Sequence, residues 1–152
     1  MDQDNSLERV VRKGISRARD LKHRRVHELL DELGLFQGQA FVLYALWDQD
    51  GLTQSELTER LHRSPSTVTK TVQRMEKAGL VKRCPDDSDE RVSHVCLTDA
   101  GRTIRPAVEK VWSKLDQQIF EGFSPQELAL FAEYLTRVCE NIENRSQSDR
   151  EG

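Results

Sequence analysis

The sequence has no apolar run long enough to cross a membrane. Its first residues, MDQDNSLERVVRK, are mostly polar or charged and lack the apolar core of a secretory signal. Because of these two absences, we expect no membrane-spanning helix. They predict a chain that stays in the cytoplasm and has no membrane partner.

The chain also lacks the short motifs that mark common catalytic sites. It contains no glycine-rich phosphate loop, no nucleophile elbow and no HExxH metal motif. Three cysteines, at Cys84, Cys96 and Cys139, do not make an extracellular disulfide framework. We therefore expect no enzyme, no cofactor and no resident metal.

The bulk composition is typical of one small helical domain. The chain has 152 residues, of which 32% are charged and 36% apolar, and its formal net charge is −3. No internal repeat or low-complexity segment divides it. Helical periodicity and turn residues predict a mainly α-helical fold with a small β-wing, as a single domain over residues 1–152.

The spacing between Thr53 and Gly79 is typical of a helix-turn-helix. Thr53 and Glu56 can form a capping box that starts one helix. Ser64 can cap the next helix, with Pro65 at its first position, where a missing N–H costs nothing. Gly79 then ends that helix. The apolar residues that would face inward are Leu57, Leu61, Val68, Val72 and Met75.

Two predicted strands follow the second helix. The segments Leu80–Cys84 and Val92–Leu97 are rich in apolar residues and flank a polar turn. Two short helices followed by such a hairpin are the layout of a winged helix-turn-helix. That module places one helix in the major groove of DNA and a hairpin beside it.

Positive charge is concentrated on this segment, although the whole chain is acidic. From Arg60 to Arg83 there are seven basic residues and one acid, Glu76. A surplus of six on a protein of net charge −3 is what a phosphate-facing surface requires. The predicted outward face of the second helix carries Ser66, Thr67, Lys70, Gln73, Arg74 and Lys77.

Long amphipathic segments flank the winged module, which we place at residues 36–97. Residues 7–33 and 98–145 carry apolar stripes at helical spacing, and Pro106 is expected to kink the second segment or delay its regular part. These helices either pack on their own subunit or interleave with those of a second chain. We expect the homodimer, because a helix-turn-helix binds two half-sites best as a two-fold pair.

The run from Leu52 to Arg102 closely resembles the MarR family of bacterial transcriptional regulators. The matching segments are LTQSELTERL, SPSTVTKTVQRMEKAGLVKR and DSDERVSHVCLTDAGR, and the flanking helices extend the resemblance to about residues 7–145. The resemblance implies a homodimeric, sequence-specific DNA-binding repressor. A small aromatic or anionic ligand would release it from a palindromic operator in double-stranded DNA.

The resemblance also implies which residues meet DNA. The helix from Ser64 to Ala78 would enter the major groove. Arg91 would be the wing-tip arginine in the minor groove, held in place by Asp89. The complete implied set is Ser64, Ser66, Thr67, Thr69, Lys70, Gln73, Arg74, Lys77 and Arg91.

The wing departs from the family pattern at Glu90, where a second basic residue is common. Four acids, Asp86, Asp87, Asp89 and Glu90, accompany the single Arg91. We expect weaker non-specific binding from this wing and no change of fold. The acidic wing also keeps open a winged-helix adaptor that binds proteins and not DNA. A third interpretation is an activator or architectural DNA binder without a small ligand.

Two residue pairs keep open another interpretation, a regulator of the same fold that responds to cysteine oxidation or to a metal. Cys84 and Cys96 are equidistant from Glu90 and could face each other, so that a disulfide would lock the wing; we expect a buried pair of inert thiols instead. His23 and His27 share one helix face and could bind a metal, although histidine pairs are common on helices.

Overall fold

The computed structural model describes the backbone of residues 2–86 and 93–151, and the side chains of residues 6–86 and 93–145. It divides into two units, Met1–Leu115 and Asp116–Gly152. Within the described ranges, no helix is both long and apolar enough to cross a membrane. The elements are α1 (Asp2–Asp31), α2 (Gln37–Asp48), β1 (Leu52–Thr53), α3 (Gln54–Leu61), α4 (Pro65–Lys77), β2 (Val81–Pro85), β3 (Ser93–Leu97), α5 (Asp99–Thr103), α6 (Arg105–Ile119) and α7 (Pro125–Glu151).

The described elements are mainly helical and include one small antiparallel sheet, which confirms the predicted fold class. Its strand order is β1-β3-β2, with Val81 opposite Leu97 and Leu52 opposite Val95. The strand β1 was not predicted. It has two residues, too few to show a period-two pattern, and it forms because β3 offers it a paired edge.

The core of the first unit surrounds α2. Ala40, Leu43 and Leu46 of this helix are almost completely buried, as expected for its apolar sequence. They pack in one cluster with Leu30 of α1 and Val108 of α6. The helix-turn-helix and the sheet add their own buried residues to that cluster: Leu57, Val68, Val72, Met75, Val81, Val95 and Leu97.

The predicted capping box at the start of α3 is present. The Glu56 amide donates to Thr53 Oγ1 at 3.2 Å, and the Thr53 amide donates to Glu56 Oε2 at 2.7 Å. The Thr53 hydroxyl also donates to Glu56 Oε2, at 2.8 Å. The two bonds that the carboxylate accepts, first from the Thr53 backbone and then from its hydroxyl, hold the pKa of Glu56 below its usual value. Ser124 and Glu127 form the same reciprocal pair at the start of α7.

Pro106 delays a regular helix, as predicted. The segment after Thr98 forms the short α5, and α6 begins at Arg105 with Pro106 as its second residue. A proline has no amide hydrogen to donate and is tolerated in the first turn of a helix, so the chain restarts there. The predicted segment from residue 98 therefore begins with two helices, α5 and α6.

Candidate nucleic-acid interface

Local sequence fixes the position of α4, the second helix of the helix-turn-helix. Ser64 caps it, because its Oγ accepts a hydrogen bond from the Thr67 amide at 3.3 Å, and Pro65 is its first residue. Gly79, with φ of 71°, terminates it in a conformation that other residues rarely adopt. The turn before it includes His62, which is also left-handed at φ of 48°.

One face of α4 is buried and the opposite face is exposed. Val68, Val72 and Met75 are at most 2% exposed, which anchors the helix to the core. Lys70 and Arg74 lie four residues apart on the other side, so their side chains project from neighbouring turns. The exposed residues of this helix include Ser66, Thr67, Lys70, Gln73, Arg74 and Lys77, the predicted outward set.

Three hydroxyl groups cluster at the amino end of α4. Ser64 Oγ lies 2.8 Å from Thr67 Oγ1 and 3.2 Å from Ser66 Oγ. The free amides and the dipole of a helix favour anions at this end. All three residues are exposed, so this end presents hydrogen-bond donors where a phosphate group could approach.

Thr69 differs from the rest of the predicted set. It is half-buried, and its hydroxyl donates to the Pro65 carbonyl at 2.9 Å. The same oxygen accepts from Gln54 Nε2 at 2.9 Å. The structure therefore places the Thr69 hydroxyl in bonds that link α4 to α3.

Sequence reasoning missed a chain of polar side chains that supports α4. Arg83 of β2 donates through Nε to Glu76 at 3.1 Å and through Nη1 to Gln54 at 3.3 Å, and Gln54 holds Thr69. The bonded residues are 7, 29 and 15 positions apart in the chain, so helical periodicity could not reveal them. They join α3, α4 and β2 into one support.

The positive charges of this segment fall into two groups. Arg60 forms an ion pair with Asp48, and Arg83 forms one with Glu76. The pair with Asp48, which lies outside the segment, lowers the surplus of six to five, whereas Glu76 is already counted in that surplus. Among the described residues, no ion pair involves the other five cations of the segment, which are Arg63, Lys70, Arg74, Lys77 and Lys82.

The base of the wing is held by His94. Its Nε2 lies 2.7 Å from Asp86 Oδ2, and its Nδ1 lies 2.7 Å from the Gly51 carbonyl oxygen. A carbonyl oxygen and a carboxylate oxygen both accept hydrogen bonds, so the two contacts favour a ring that donates from both nitrogens. The Asp86 hydrogen bond, followed by the Gly51 carbonyl, raises the pKa of His94 above its ordinary 6.5. Arg91 and Asp89, predicted for the wing, lie outside the described residues.

We expect the stabilising effect of His94 to fade as pH rises. A histidine whose pKa is raised by folding stabilises fully below its unfolded pKa, about 6.5, and loses this effect as pH passes through the folded value. Thermal unfolding between about pH 6 and pH 9 should show this loss in the wild type and a flatter profile in His94→Gln. Parallel profiles would contradict the assignment, since the other three histidines are common to both proteins.

A cavity of about 290 Å³ lies behind the amino end of α4. Its apolar lining includes Phe41 of α2, Leu61 of α3 and Val68 of α4. Its polar lining includes Arg63 and the two histidines of α1. The lining residues are His23, His27, Gln37, Gly38, Phe41, Val42, Leu61, Arg63, Thr67, Val68 and Thr71.

The same residues bear on the proposed metal response. His23 and His27 both line the cavity, as a shared helix face predicts. Within the part of the chain that the structure describes, no group of three or more histidine, cysteine or acidic side chains is arranged to hold a metal ion.

Cys84 and Cys96 are not separate thiols. The structure joins them in a disulfide, which overturns the expected pair of inert buried thiols, and both residues are half-buried. They are diagonal neighbours in the hairpin, because Cys84 lies opposite His94 and Cys96 lies opposite Lys82. Side chains two residues apart on a strand share a face, which brings the two sulfur atoms together.

Comparison with known proteins gives a consistent picture. Residues 35–93 match the model of the MarR family. The transcriptional regulator HosA of Escherichia coli O157:H7 is 31% identical over 112 residues, which cover 74% of this chain and 81% of HosA. The uncharacterised HTH-type transcriptional regulator YybA of Bacillus subtilis is 23% identical over 112 residues, which cover 74% of this chain and 75% of YybA.

Solved structures share the fold. The apo form of wild-type MarR from E. coli is 26% identical with a TM-score of 0.71, over 83% of this chain and 94% of that protein. A MarR transcriptional regulator from Methanosarcina mazei Go1 has a TM-score of 0.73 at 24% identity, over 90% of this chain and 98% of that protein. The second likeness shows the fold alone.

Proposed function

The chain belongs to the MarR family of transcriptional regulators, and we propose that it is a homodimeric repressor that binds a palindromic DNA operator. The observation that carries the proposal is the exposed arc of α4. Lys70, Gln73, Arg74 and Lys77 project from a helix whose opposite face is fixed in the core. In the proposed complex α4 lies in the major groove, and a cytoplasmic location follows from access to DNA.

We propose three kinds of contact in this docking. The hydroxyls of Ser64, Ser66 and Thr67, with the first amides of α4, suit a phosphate beside the groove. Lys70 and Arg74 lie further along the helix and suit base edges or phosphates. Arg91, supported by Asp89, remains the proposed minor-groove contact of the wing.

The homodimer is supported by apolar side chains on the terminal helices. Leu7, Val10 and Val11 of α1 are between 52% and 65% exposed, and Phe131 and Tyr134 of α7 are 45% and 50% exposed. Large apolar side chains repeated along a helix face favour burial against a partner. We propose a second copy of the chain as that partner, because two-fold symmetry matches a palindromic operator.

The ligand that releases the repressor is proposed to be a small aromatic carboxylate. The cavity behind α4 is lined by apolar side chains together with Arg63 and two histidines, which suits an apolar body with one negative charge. Thr67, Val68 and Thr71 of α4 also line it. A ligand there would bias the position of the helix that is proposed to enter the groove.

We expect aromatic carboxylates to raise the melting temperature. A ligand that binds only the folded state at about one hundred times its Kd stabilises it by about 2.7 kcal/mol. Benzoate derivatives should therefore shift thermal unfolding, whereas the matching uncharged benzamides should not. The shift should shrink in Arg63→Ala. Equal shifts for acids and amides would contradict an anion site, and no shift at all would favour an activator or architectural binder without a ligand.

Selection of bound sequences from random duplexes, at defined salt concentrations, tests the proposed function as a whole. We expect an enriched palindrome with half-sites about one helical turn apart, and affinity that falls steeply as salt rises, because cations that neutralise phosphates displace counterions. Absent or salt-independent binding would favour the winged-helix adaptor. Transcription from a template carrying the enriched site then separates repression from activation.

A further inference from the structure

The disulfide between Cys84 and Cys96 lies in the wing stem, which we define as β2 and β3. The Cα atoms of the two cysteines are 6.2 Å apart, within the range of ordinary disulfides. Both cysteines are half-buried, so neither is sealed in the core. Cys139, on α7, is exposed and free.

The bond has cationic neighbours on the same face of the hairpin. Lys82 is exposed and lies opposite Cys96, and His94 lies opposite Cys84. His94 is held by Asp86 and by the Gly51 carbonyl in the arrangement that favours its charged form. Positive charge beside a cysteine favours the thiolate, which is the reactive form in disulfide exchange.

The wing stem connects this bond to the proposed recognition helix. On β2, Arg83 is bonded to Glu76 of α4 and to Gln54 of α3. On β3, His94 is bonded to the carbonyl of Gly51, the residue before β1. The disulfide therefore joins a strand tied to the recognition helix to a strand tied to the opposite side of the sheet.

A protein that binds chromosomal DNA works in a reducing compartment. Disulfides in such compartments are rare, and those that occur are usually transient and catalytic or redox-sensing. This step rests on the proposed function. A half-buried disulfide between cation-flanked cysteines is thus better explained by reversible chemistry than by permanent stabilisation.

We propose that Cys84 and Cys96 are a thiol–disulfide exchange site for low-molecular-weight thiols and their disulfides, and that its oxidised state fixes the wing stem for DNA binding. In oxidation, one cysteine thiolate attacks a small disulfide, forms a mixed disulfide and releases one small thiol. The second cysteine then attacks the mixed disulfide and releases the other. Two electrons and two thiol protons pass from the protein to the two small thiols, and reduction is the reverse.

The two states should share one fold and differ in the constraint on the wing stem. The five residue pairs of the β2–β3 ladder hold the strands together in either state. Removing a cross-link between residues 12 positions apart frees the unfolded chain, so reduction should lower the melting temperature by about 5 °C or more. A wing that is less fixed loses more conformational entropy when it binds DNA. The Kd for DNA should therefore rise about threefold to tenfold on reduction.

The test equilibrates the full-length protein with mixtures of reduced and oxidised glutathione. Alkylation and intact-mass measurement should show three reactive thiols at the reducing end, with full reversal. At the oxidising end Cys84 and Cys96 should take no alkyl group and together lose two hydrogen atoms, while the exposed Cys139 either takes an alkyl group or carries one glutathione. Cys139→Ser should keep the same change at Cys84 and Cys96. Alkylation of Cys84 and Cys96 at every ratio, or at none, would overturn the exchange site.

Affinity for the selected operator, measured in the same mixtures, tests the consequence. Wild type and Cys139→Ser should bind more tightly when oxidised, and Cys84→Ser/Cys96→Ser should have one Kd at all ratios. An unchanged Kd in the wild type despite the change at Cys84 and Cys96 would overturn the link to the wing. Absence of DNA binding in both states would refute the proposed function instead, while the thiol count, which requires neither DNA nor a variant, still decides the exchange.

Discussion

Replacing Gly101 with alanine is expected to destabilise the protein by about 3 kcal/mol or more. Gly101 is buried in α5, and a Cβ atom added there would lie 2.1 Å from the carbonyl oxygen of Leu80 and 3.1 Å from its carbonyl carbon. Both atoms belong to the backbone that follows α4, and that oxygen already accepts a hydrogen bond from the Thr98 amide. Neither can rotate away, so a segment of chain must shift.

The shift would disturb further contacts of the winged module. The Gly101 carbonyl accepts from Trp47 Nε1 at 2.9 Å, and Thr98 Oγ1 donates to the Gly79 carbonyl at 2.6 Å. Alanine in a helix gains at most about 1 kcal/mol over glycine, which is too little to offset the collision. The melting temperature should fall by about 6–12 °C.

Gly38→Ala is the matched control for this prediction. Gly38 is also a helical glycine, but a Cβ atom there would first meet Thr71 Oγ1 at 3.7 Å, an ordinary contact. Its melting temperature should be unchanged or slightly higher, with both variants measured at one protein concentration. Equal stability of Gly101→Ala and the wild type would mean that α5 does not approach the backbone after α4 this closely.

Local patterns in the sequence predicted most of the elements because each depends on near neighbours. The capping boxes of α3 and α7 involve residues three positions apart, and Pro65 and Gly79 restrict the backbone themselves. The buried face of α4 likewise follows from helical spacing. These features required no knowledge of distant contacts.

The features that were missed depend on contacts between distant parts of the chain. The two-residue β1 exists only beside β3, and the Asp50 carboxylate accepts from the Leu97 amide 47 positions away. The disulfide depends on the hairpin register. Symmetry about Glu90 would place Cys84 opposite Cys96, whereas the observed ladder places it opposite His94. The position of the turn residues in the sequence does not determine the register of the two strands, so it could not predict this two-residue shift.

In the candidate interface, too, the features set by near neighbours were predicted and those set by distant contacts were missed. Exposure of Lys70, Arg74 and Lys77 follows from their spacing on α4, but the bonds of Thr69 to Gln54 and Pro65 do not. Likewise, counting charges within residues 60–83 could not tell that Asp48, outside that segment, pairs with Arg60. The surplus of six was therefore too high by one, whereas the exposure of Lys70, Arg74 and Lys77 was predicted correctly.

Arg74→Ala is expected to weaken binding to the selected operator by about 1–3 kcal/mol, roughly fivefold to 150-fold in Kd. Arg74 is exposed in the middle of the arc of α4, one turn from both Lys70 and Lys77. Lys110→Ala is the control, because it removes one positive charge from an exposed position on α6. Lys110→Ala should leave the Kd near the wild-type value. Equal losses of affinity in the two variants would mean that the effect of Arg74→Ala comes from the change in net charge alone.

Arg74→Lys then determines what the guanidinium group contacts. An arginine on a guanine edge forms two parallel hydrogen bonds that a lysine cannot reproduce, so Arg74→Lys should lose discrimination at one base pair of each half-site. An arginine on a phosphate acts mainly through its charge, so lysine should preserve affinity. Arg74→Ala should in that case weaken all sequences evenly and reduce the salt dependence by about one released ion. If neither substitution changes specificity, affinity or salt dependence, Arg74 lies outside the interface, and α4 cannot dock in the groove through the centre of its exposed arc.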